Sequence, residues 1–393
     1  MINTLAIGNY RSLLNLVIPF NNLNVITGEN ASGKSNLYRA LRLLAETAQG
    51  GVINSLANEG GLESTFWAGP ENISERMRKG EVPVQGGPKQ KAARLRLGFS
   101  GDNFGYSISL GLPPPPDGGD STAFALDPEI KRECIWAGDT YRPAGLLVDR
   151  TGSVVKVRDG RSWEVIAQHT SSFESIFGQA ADPVKTPEIV ALREEIRGWR
   201  FYDHFRSDFE APARLPQLGT RTPILHPDGR DLAAALQTII EIGDVDALHE
   251  AIADAFPGAR LNIVIQEDGR FSVNLHQEGL LRPLSGSELS DGTLRYLLWV
   301  AALLTPRPPP LMVLNEPETS LHPDLLPALA RLIIRAAETA QVWVVSHASR
   351  LIAALESGVD CNSLMLEKSL GRTQIMGQGI LDEPAWHWPD KSK

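Results

Sequence analysis

The sequence predicts an α/β fold, and three observations predict it. A short apolar run, residues 23–26, leads into the glycine-bounded loop Gly28-Glu29-Asn30-Ala31-Ser32-Gly33-Lys34-Ser35 and then a helical pattern through Leu37, Ala40, Leu41 and Leu44. Two further apolar runs, 311–314 and 341–345, each end in polar residues, the pattern of buried parallel strands. A helical stretch over 324–338 separates those two runs, the order that a parallel crossover requires.

Composition sets the limits. The 393 residues are 42% hydrophobic, enough for two or three domains' worth of core. A net charge of −9 excludes a polycation that coats nucleic acid, so any DNA contact must come from a local patch or a groove formed on dimerisation. Two cysteines, Cys134 and Cys361, make neither a disulfide framework nor a metal spacing, which fits a reducing compartment. The N-terminus lacks a basic segment followed by a long apolar core, and the most apolar stretch, 297–304, is far too short to cross a bilayer. A cytoplasmic protein without a membrane partner is expected.

The elements follow in order. Residues 2–8 and 14–20 read as strands joined by a turn at Asn9-Tyr10-Arg11-Ser12, and 23–27 as the strand feeding the glycine loop. The helix after it fades near Gln49-Gly50-Gly51, and a mixed Gly-rich stretch runs to about residue 75. From 76 to 185 short alternating runs (93–99, 105–112, 146–148) are separated by Gly101-Asp102-Asn103, Asp117-Gly118-Gly119 and Asp159-Gly160, which is hairpin punctuation. Pro113 to Pro116 suit a rigid connector or rim. This region reads as a β-rich insertion. Thr186-Pro187 reads as a cap and first-turn proline for a helix over 188–197, followed by a strand over 200–206. Helices are expected at 231–242 and 244–255, then a hairpin of 261–266 and 271–276 turning at Glu267-Asp268-Gly269. The expected boundaries are therefore 1–75, 76–185, 186–255 and 256–393.

The glycine loop carries the first chemistry. Gly28 and Gly33 permit backbone conformations that turn successive N–H groups into one anion-sized nest, and the helix N-terminus adds partial positive charge. Lys34 then reaches the β- and γ-phosphates, and the Ser35 hydroxyl holds Mg²⁺. Gly-x4-Gly-Lys-[Ser/Thr] arises by chance in roughly one or two chains per hundred of this length, and the flanking strand and helix make chance less frequent still. Nucleotide binding is the expectation.

The C-terminal third holds a second cluster. Leu289-Ser290-Asp291-Gly292-Thr293 precedes an apolar helix in which Ser290 is the N-cap. The run 311–314 ends in Asn315-Glu316-Pro317-Glu318-Thr319-Ser320-Leu321-His322-Pro323, and 341–345 ends in Ser346-His347. Acidic residues at strand C-termini beside a phosphate loop are placed to serve Mg²⁺ and an attacking water.

Together these motifs resemble the ABC-type ATPase heads of the SMC/RecF/OLD-like group of AAA-family ATPases, over roughly 1–50 and 280–350 and weakly over 186–240. The opening hairpin with Arg11 is similar to the one whose basic residue helps hold the nucleotide. Leu289 to Thr293 resembles the ABC signature, 311–316 the Walker B strand, 318–323 the D-loop, and His347 falls on the switch histidine. The resemblance implies a P-loop NTPase fold, an ABC-type head with a β-rich insertion, hydrolysing ATP with Mg²⁺. ATP is expected on Arg11, the loop from Gly28 to Ser35, and a second subunit's Ser290 and Gly292, so that two heads form a homodimer around two nucleotides. Glu316 is then the residue polarising water, His347 the γ-phosphate sensor, Lys34 the main transition-state cation, and Ser35 and Asn315 the Mg²⁺ side.

The sequence departs from that pattern at Asn315, where most of the group has Asp. A neutral carbonyl oxygen there leaves two readings: a working ATPase with weaker Mg²⁺ affinity, or a slow ATP-dependent clamp. Gln168 is a Q-loop candidate by chain order and equally a solvated loop residue. Arg193, Arg197, Arg200, Arg206, Arg214, Arg221 and Arg230 with Trp199, Phe201 and Tyr202 form either a phosphate-tracking surface or a salt-linked face. Relatives acting in DNA repair or in defence against foreign DNA add duplex DNA as an expected partner. A regulator of a separate effector or nuclease chain is the alternative, and a transporter ATPase subunit a third. The residues after His347 hold no acidic cluster suited to a nuclease.

Overall fold

Hydrophobic alternation builds the first sheet of the computed structural model, which describes residues 1–70, 74–79, 81–83, 93–114, 123–358, 360–379 and 382–389. Pro115, Pro116 and the turn at Asp117-Gly118-Gly119 lie outside the described residues. The chain divides into two units, one of residues 1–20, 28–198 and 364–393, the other of 21–27 and 199–363.

In the first unit Ile2–Tyr10 pairs antiparallel with Leu13–Pro19, Ala6 lying opposite Val17 and Tyr10 opposite Leu13. The turn is tighter than expected. Asn9 and Tyr10 stay in the strand and only Arg11 and Ser12 turn, with left-handed φ of 61° at Asn9 and 48° at Arg11. Asn9 tolerates that conformation because its side chain is held, donating to Arg94 O at 3.1 Å and accepting from Trp67 N at 3.2 Å.

The opening hairpin is one edge of an eight-stranded antiparallel sheet. Leu13–Pro19 and Ile2–Tyr10 are followed by Leu95–Gly101, Phe104–Gly111, Glu129–Ala137, Leu146–Thr151, Val154–Asp159 and Ser162–Ala167. The β-rich stretch thus continues the sheet begun by the first hairpin. The helix Lys34–Thr47 buries Leu37, Ala40, Leu41 and Leu44, and the short helices Val52–Asn58 and Leu62–Thr65 occupy the Gly-rich stretch after it. Under this sheet Arg150 and Glu133 pair at 3.2 Å with both side chains fully buried. Tyr106 Oη at 2.7 Å and Ile176 N at 3.0 Å also donate to Glu133, so the buried carboxylate is satisfied. Helix Pro187–Arg197 begins where expected, but the Thr186 hydroxyl does not cap it. The hydroxyl instead donates to Ala180 O at 2.7 Å and accepts from Asp182 N at 2.8 Å, fastening the preceding loop.

The second unit is the parallel half. Its strands run in the order Arg200–Tyr202, Leu311–Asn315, Gln341–Val345 and the 23–27 part of Leu23–Gly28. The strand expected over 200–206 stops at Tyr202. Tyr202 pairs with Leu314, and one residue further the neighbouring strand ends at Asn315, so no ladder remains. Helices Leu232–Ile242, Val245–Ala255, Asp291–Leu303 and Leu326–Ala336 supply the apolar residues packed around this sheet. Asp291–Leu303 is apolar nearly all round, as a helix enclosed on most sides must be. The hairpin Arg260–Ile265 with Arg270–His276 forms as expected, extended by Gln217–Leu218 and Leu284–Ser285.

Candidate nucleotide site

The glycine loop has the backbone its sequence demands. Gly28 has φ 143°, Ala31 66° and Gly33 114°, and Leu37 N closes the first helical bond to Gly33 O at 2.9 Å. Lys34 is 9% exposed, and its Nζ donates to Gly28 O at 2.6 Å and Glu29 O at 3.0 Å, so the ammonium is held over its own loop. Glu29, Asn30, Ala31 and Ser35 are exposed, while Ser32 is buried.

A second element holds this loop that sequence reasoning missed. The strands Cys361–Ser369 and Arg372–Ile375 form a hairpin with Leu366 opposite Ile375. A Cβ on Gly28 would stand 2.3 Å from Leu366 O, and one on Gly33 2.1 Å from Thr373 Oγ1. Thr373 is buried and donates to Ser32 O at 2.7 Å, and its Oγ1 also lies 2.7 Å from Ser12 Oγ. Asn36 Nδ2 donates to the same Ser12 Oγ at 2.8 Å. The signal was the alternation around Leu370-Gly371, whose positive φ values of 50° and 85° make a tight turn.

Arg11 is in a defined partnership. Its Nη2 lies 2.9 Å from Glu59 Oε2, which also accepts from Tyr10 Oη at 2.7 Å. Burial and the Glu59 carboxylate push the Tyr10 hydroxyl well above its ordinary value, so Tyr10 remains a donor.

The second unit collects the other candidates at one edge of its parallel sheet. Val345 lies opposite Asn315 on one side and Ile26 on the other, and the chain passes from Ile26 through Thr27 into Gly28. Asn315 therefore closes its strand, and Glu316 follows with a left-handed φ of 50°, its N–H donating to Val345 O at 2.8 Å. Glu316 and His347 are both about half exposed, with His347 Nδ1 3.8 Å from Glu316 Oε1. No group of three or more metal-ligating His, Cys, Asp or Glu occurs among the described residues.

The signature segment is built from buried arginines. Ser290 caps Asp291–Leu303, its Oγ accepting from Thr293 N at 3.2 Å, and both Ser290 and Asp291 are exposed while Gly292 is half-buried. Arg214, 8% exposed, donates to Leu289 O at 2.6 Å, Gly286 O at 3.1 Å and Ser207 O at 2.8 Å, and pairs with Asp291 at 2.6 Å. Arg295 reaches the loop after Glu316 through Thr319 O at 3.1 Å and meets His204 Nε2 at 3.0 Å. Burial and that guanidinium push the His204 imidazole below its ordinary value, so it stays neutral at pH 7.

The Arg–aromatic stretch resolves mostly into structural roles. Trp199 and Tyr202 are buried, and Arg214 serves the signature segment. Arg193 lies 3.0 Å and Arg197 3.5 Å from Glu194, while Arg206 lies 2.8 Å from Asp208 and Arg230 3.8 Å from Asp228. Gln168 is exposed just past Ser162–Ala167, the outer strand of the antiparallel sheet.

Residues 147–353, more than half of the chain, match the family model described as "AAA domain, putative AbiEii toxin, Type IV TA system". The chain belongs to this AAA family. Residues 1–78 match a second model, "AAA ATPase domain", so both chain ends carry ATPase signatures and the protein is an ATPase. Among solved structures, the SMC head bound to the C-winged helix domain of ScpA aligns over 97% of this chain and 98% of its own, with TM-score 0.51 and 12% identity. The SMC head domain from Thermotoga maritima aligns over 96% and 99%, with TM-score 0.46 and 13% identity. The first likeness gives this AAA ATPase the fold of an SMC head. None of the curated proteins matches the sequence.

Proposed function

We propose that this AAA ATPase is a Mg²⁺-dependent switch whose two copies close head to tail on two ATP molecules. The observation carrying this reading is the signature segment. Ser290 opens a 13-residue helix with its hydroxyl and N-terminus facing solvent, on a loop held by the buried Arg214. Such an end offers backbone N–H groups and positive dipole to an anion, and the γ-phosphate of a nucleotide on a second copy has the matching chemistry. Each γ-phosphate then bonds both chains, so ATP favours the dimer and hydrolysis removes the preference.

Within each copy, Gly28 to Ser35 and Lys34 would hold the phosphates, with Arg11 released from Glu59 to join them. Glu316 would polarise the attacking water, His347 would sense the γ-phosphate, and Gly292 would contribute its N–H beside Ser290. The Ser35 hydroxyl and Asn315 carbonyl are hard oxygen donors and fit Mg²⁺, which supplies charge neutralisation when bound. Both are neutral, so the nucleotide phosphates must provide the anionic ligands.

The family description names a type IV toxin–antitoxin system, which supports cellular defence as the output of the switch. With Trp199, Tyr202 and Arg214 buried, the structure favours a separate effector protein over duplex DNA tracked along this segment. The switch itself is tested by light scattering on Glu316→Gln with saturating Mg-ATP. A dimer is expected, absent in Glu316→Gln/Ser290→Arg, and a monomer in the single variant would sink the sandwich.

A further inference from the structure

One buried carboxylate lies beside the proposed catalytic residues. Glu318 follows Glu316 by two residues, yet its side chain is 6% exposed where that of Glu316 is 48% exposed. Its Oε1 accepts three bonds from one short segment: Ser346 Oγ at 2.7 Å, His347 N at 3.0 Å and Ala348 N at 3.2 Å. Ser346 is fully buried and its Oγ in turn accepts from Ala348 N at 3.1 Å. The His347 ring comes back toward the same oxygen, with Nδ1 3.4 Å from Oε1. The other oxygen, Oε2, is buried without a hydrogen-bond partner among the described residues.

This arrangement links two adjacent strand ends. Glu318 belongs to the turn after Leu311–Asn315, with Thr319 N donating to Glu316 O at 3.0 Å and Leu321 N to Glu318 O at 3.0 Å. The segment 346–348 follows Gln341–Val345, the neighbouring parallel strand. Since Glu316 N is itself tied to Val345 O, the Glu318 carboxylate closes a second fastening between the same two turns. One oxygen accepting three donors leaves the backbone before and after His347 little freedom, while the imidazole stays solvent-facing.

We infer that Glu318 is a positioning residue that sets the His347 imidazole relative to the Glu316 carboxylate. It acts on turnover through His347 and does not itself bind nucleotide. This rests on the role proposed for His347, and the test separates the two. A residue that merely stabilises the loop would lower folding and nucleotide binding together, whereas a positioning residue splits kcat from affinity.

The experiment is ATP turnover and affinity for a fluorescent ATP analogue in the full chain, for Glu318→Ala, Glu318→Gln, His347→Ala and the Glu318→Ala/His347→Ala pair. Glu318→Ala is expected to lower kcat about tenfold with nucleotide Kd within about twofold of wild type. Glu318→Gln keeps an accepting oxygen and should recover most of that loss. The double variant should be no slower than His347→Ala to within about twofold, because the second change removes the residue through which the first acts. Losses that multiply, a Glu318→Ala enzyme at wild-type kcat, or a slow Glu318→Ala beside a fully active His347→Ala would each overturn the inference. Should Glu318→Ala not fold, Ser346→Ala removes one of the three donors with little loss of volume. It should show the same split and the same lack of additivity, and wild-type kcat there overturns the inference equally. Failure of the wider site reading registers separately, as full turnover in Glu316→Gln.

Discussion

At the scale of single residues, two side chains would set the chemistry of the proposed site in opposite ways. Lys34 is an ammonium held by two loop carbonyls at 2.6 and 3.0 Å, already aimed where phosphate oxygens would replace them. Lys34→Ala removes the one cation of the loop and should weaken ATP binding by at least about 2 kcal/mol, or thirtyfold in Kd; affinity within a factor of a few by calorimetry would contradict the assigned role. Asn315 works the other way. It ends its strand with a neutral amide where a carboxylate would add a full charge beside the proposed Mg²⁺. Asn315→Asp should therefore lower the Mg²⁺ concentration giving half-maximal turnover. An unchanged Mg²⁺ titration would show that this position acts only as a hydrogen-bond acceptor.

At the scale of elements, the site depends on supports distant in sequence. Thr373 stands on the C-terminal hairpin and hydrogen-bonds the loop at Ser32 O, while Ser12 and Asn36 complete the chain of hydroxyl and amide contacts. Thr373→Val keeps the shape and deletes those bonds, about 1 kcal/mol each. Nucleotide affinity should fall about fivefold to tenfold, with thermal stability lowered by only a few degrees, and Thr373→Ser should restore it. Arg214 is the corresponding support of the signature segment, and Arg214→Gln strands buried carbonyls at Ser207, Gly286 and Leu289. A stability loss of about 3 kcal/mol in denaturant unfolding is expected from that.

The same elements show what the sequence makes legible. The loop from Gly28 to Ser35, the Ser290 cap and the strands ending at Asn315 and Val345 each carry a local signal: glycine spacing, a helix-start residue, an apolar run with a polar end. Thr373 carries none, and Arg214 and Glu318, though they lie in stretches that stand out in the sequence, carry none for the partners they hold. A threonine in a strand, an arginine in a Pro/Gly-rich loop and a glutamate in a turn are ordinary surface residues by pattern. Their roles come from partners up to 361 residues away, which only folding brings together. The Thr186 cap and the long strand after Arg200 failed for the same reason, because a loop carbonyl and the end of a neighbouring strand outweighed local preference.

At the scale of the whole molecule, the question is what would read the proposed switch. DNA tracking requires basic groups free to neutralise phosphates and aromatic faces open for stacking. This chain has a net charge of −9, and its densest Arg–aromatic stretch spends Trp199 and Tyr202 on the core and Arg214 on the signature segment. Arg193, Arg197, Arg206 and Arg230 each lie beside a carboxylate. Releasing four such exposed pairs would cost little apiece, about 0.2–1 kcal/mol each, but the carboxylates would remain to repel the phosphates. ATP turnover at fixed Mg²⁺ should therefore be the same with and without linear duplex DNA. A several-fold stimulation that fades steeply between low and physiological salt would reverse this, because only phosphate neutralisation releases counterions in that way. It would make DNA the effector and place the contact on a groove that the closed dimer alone completes. Indifference to DNA at every salt concentration directs the search to a protein that binds one nucleotide state and leaves the other, and pull-down with the ATP-trapped Glu316→Gln against the nucleotide-free chain is the comparison that would isolate it.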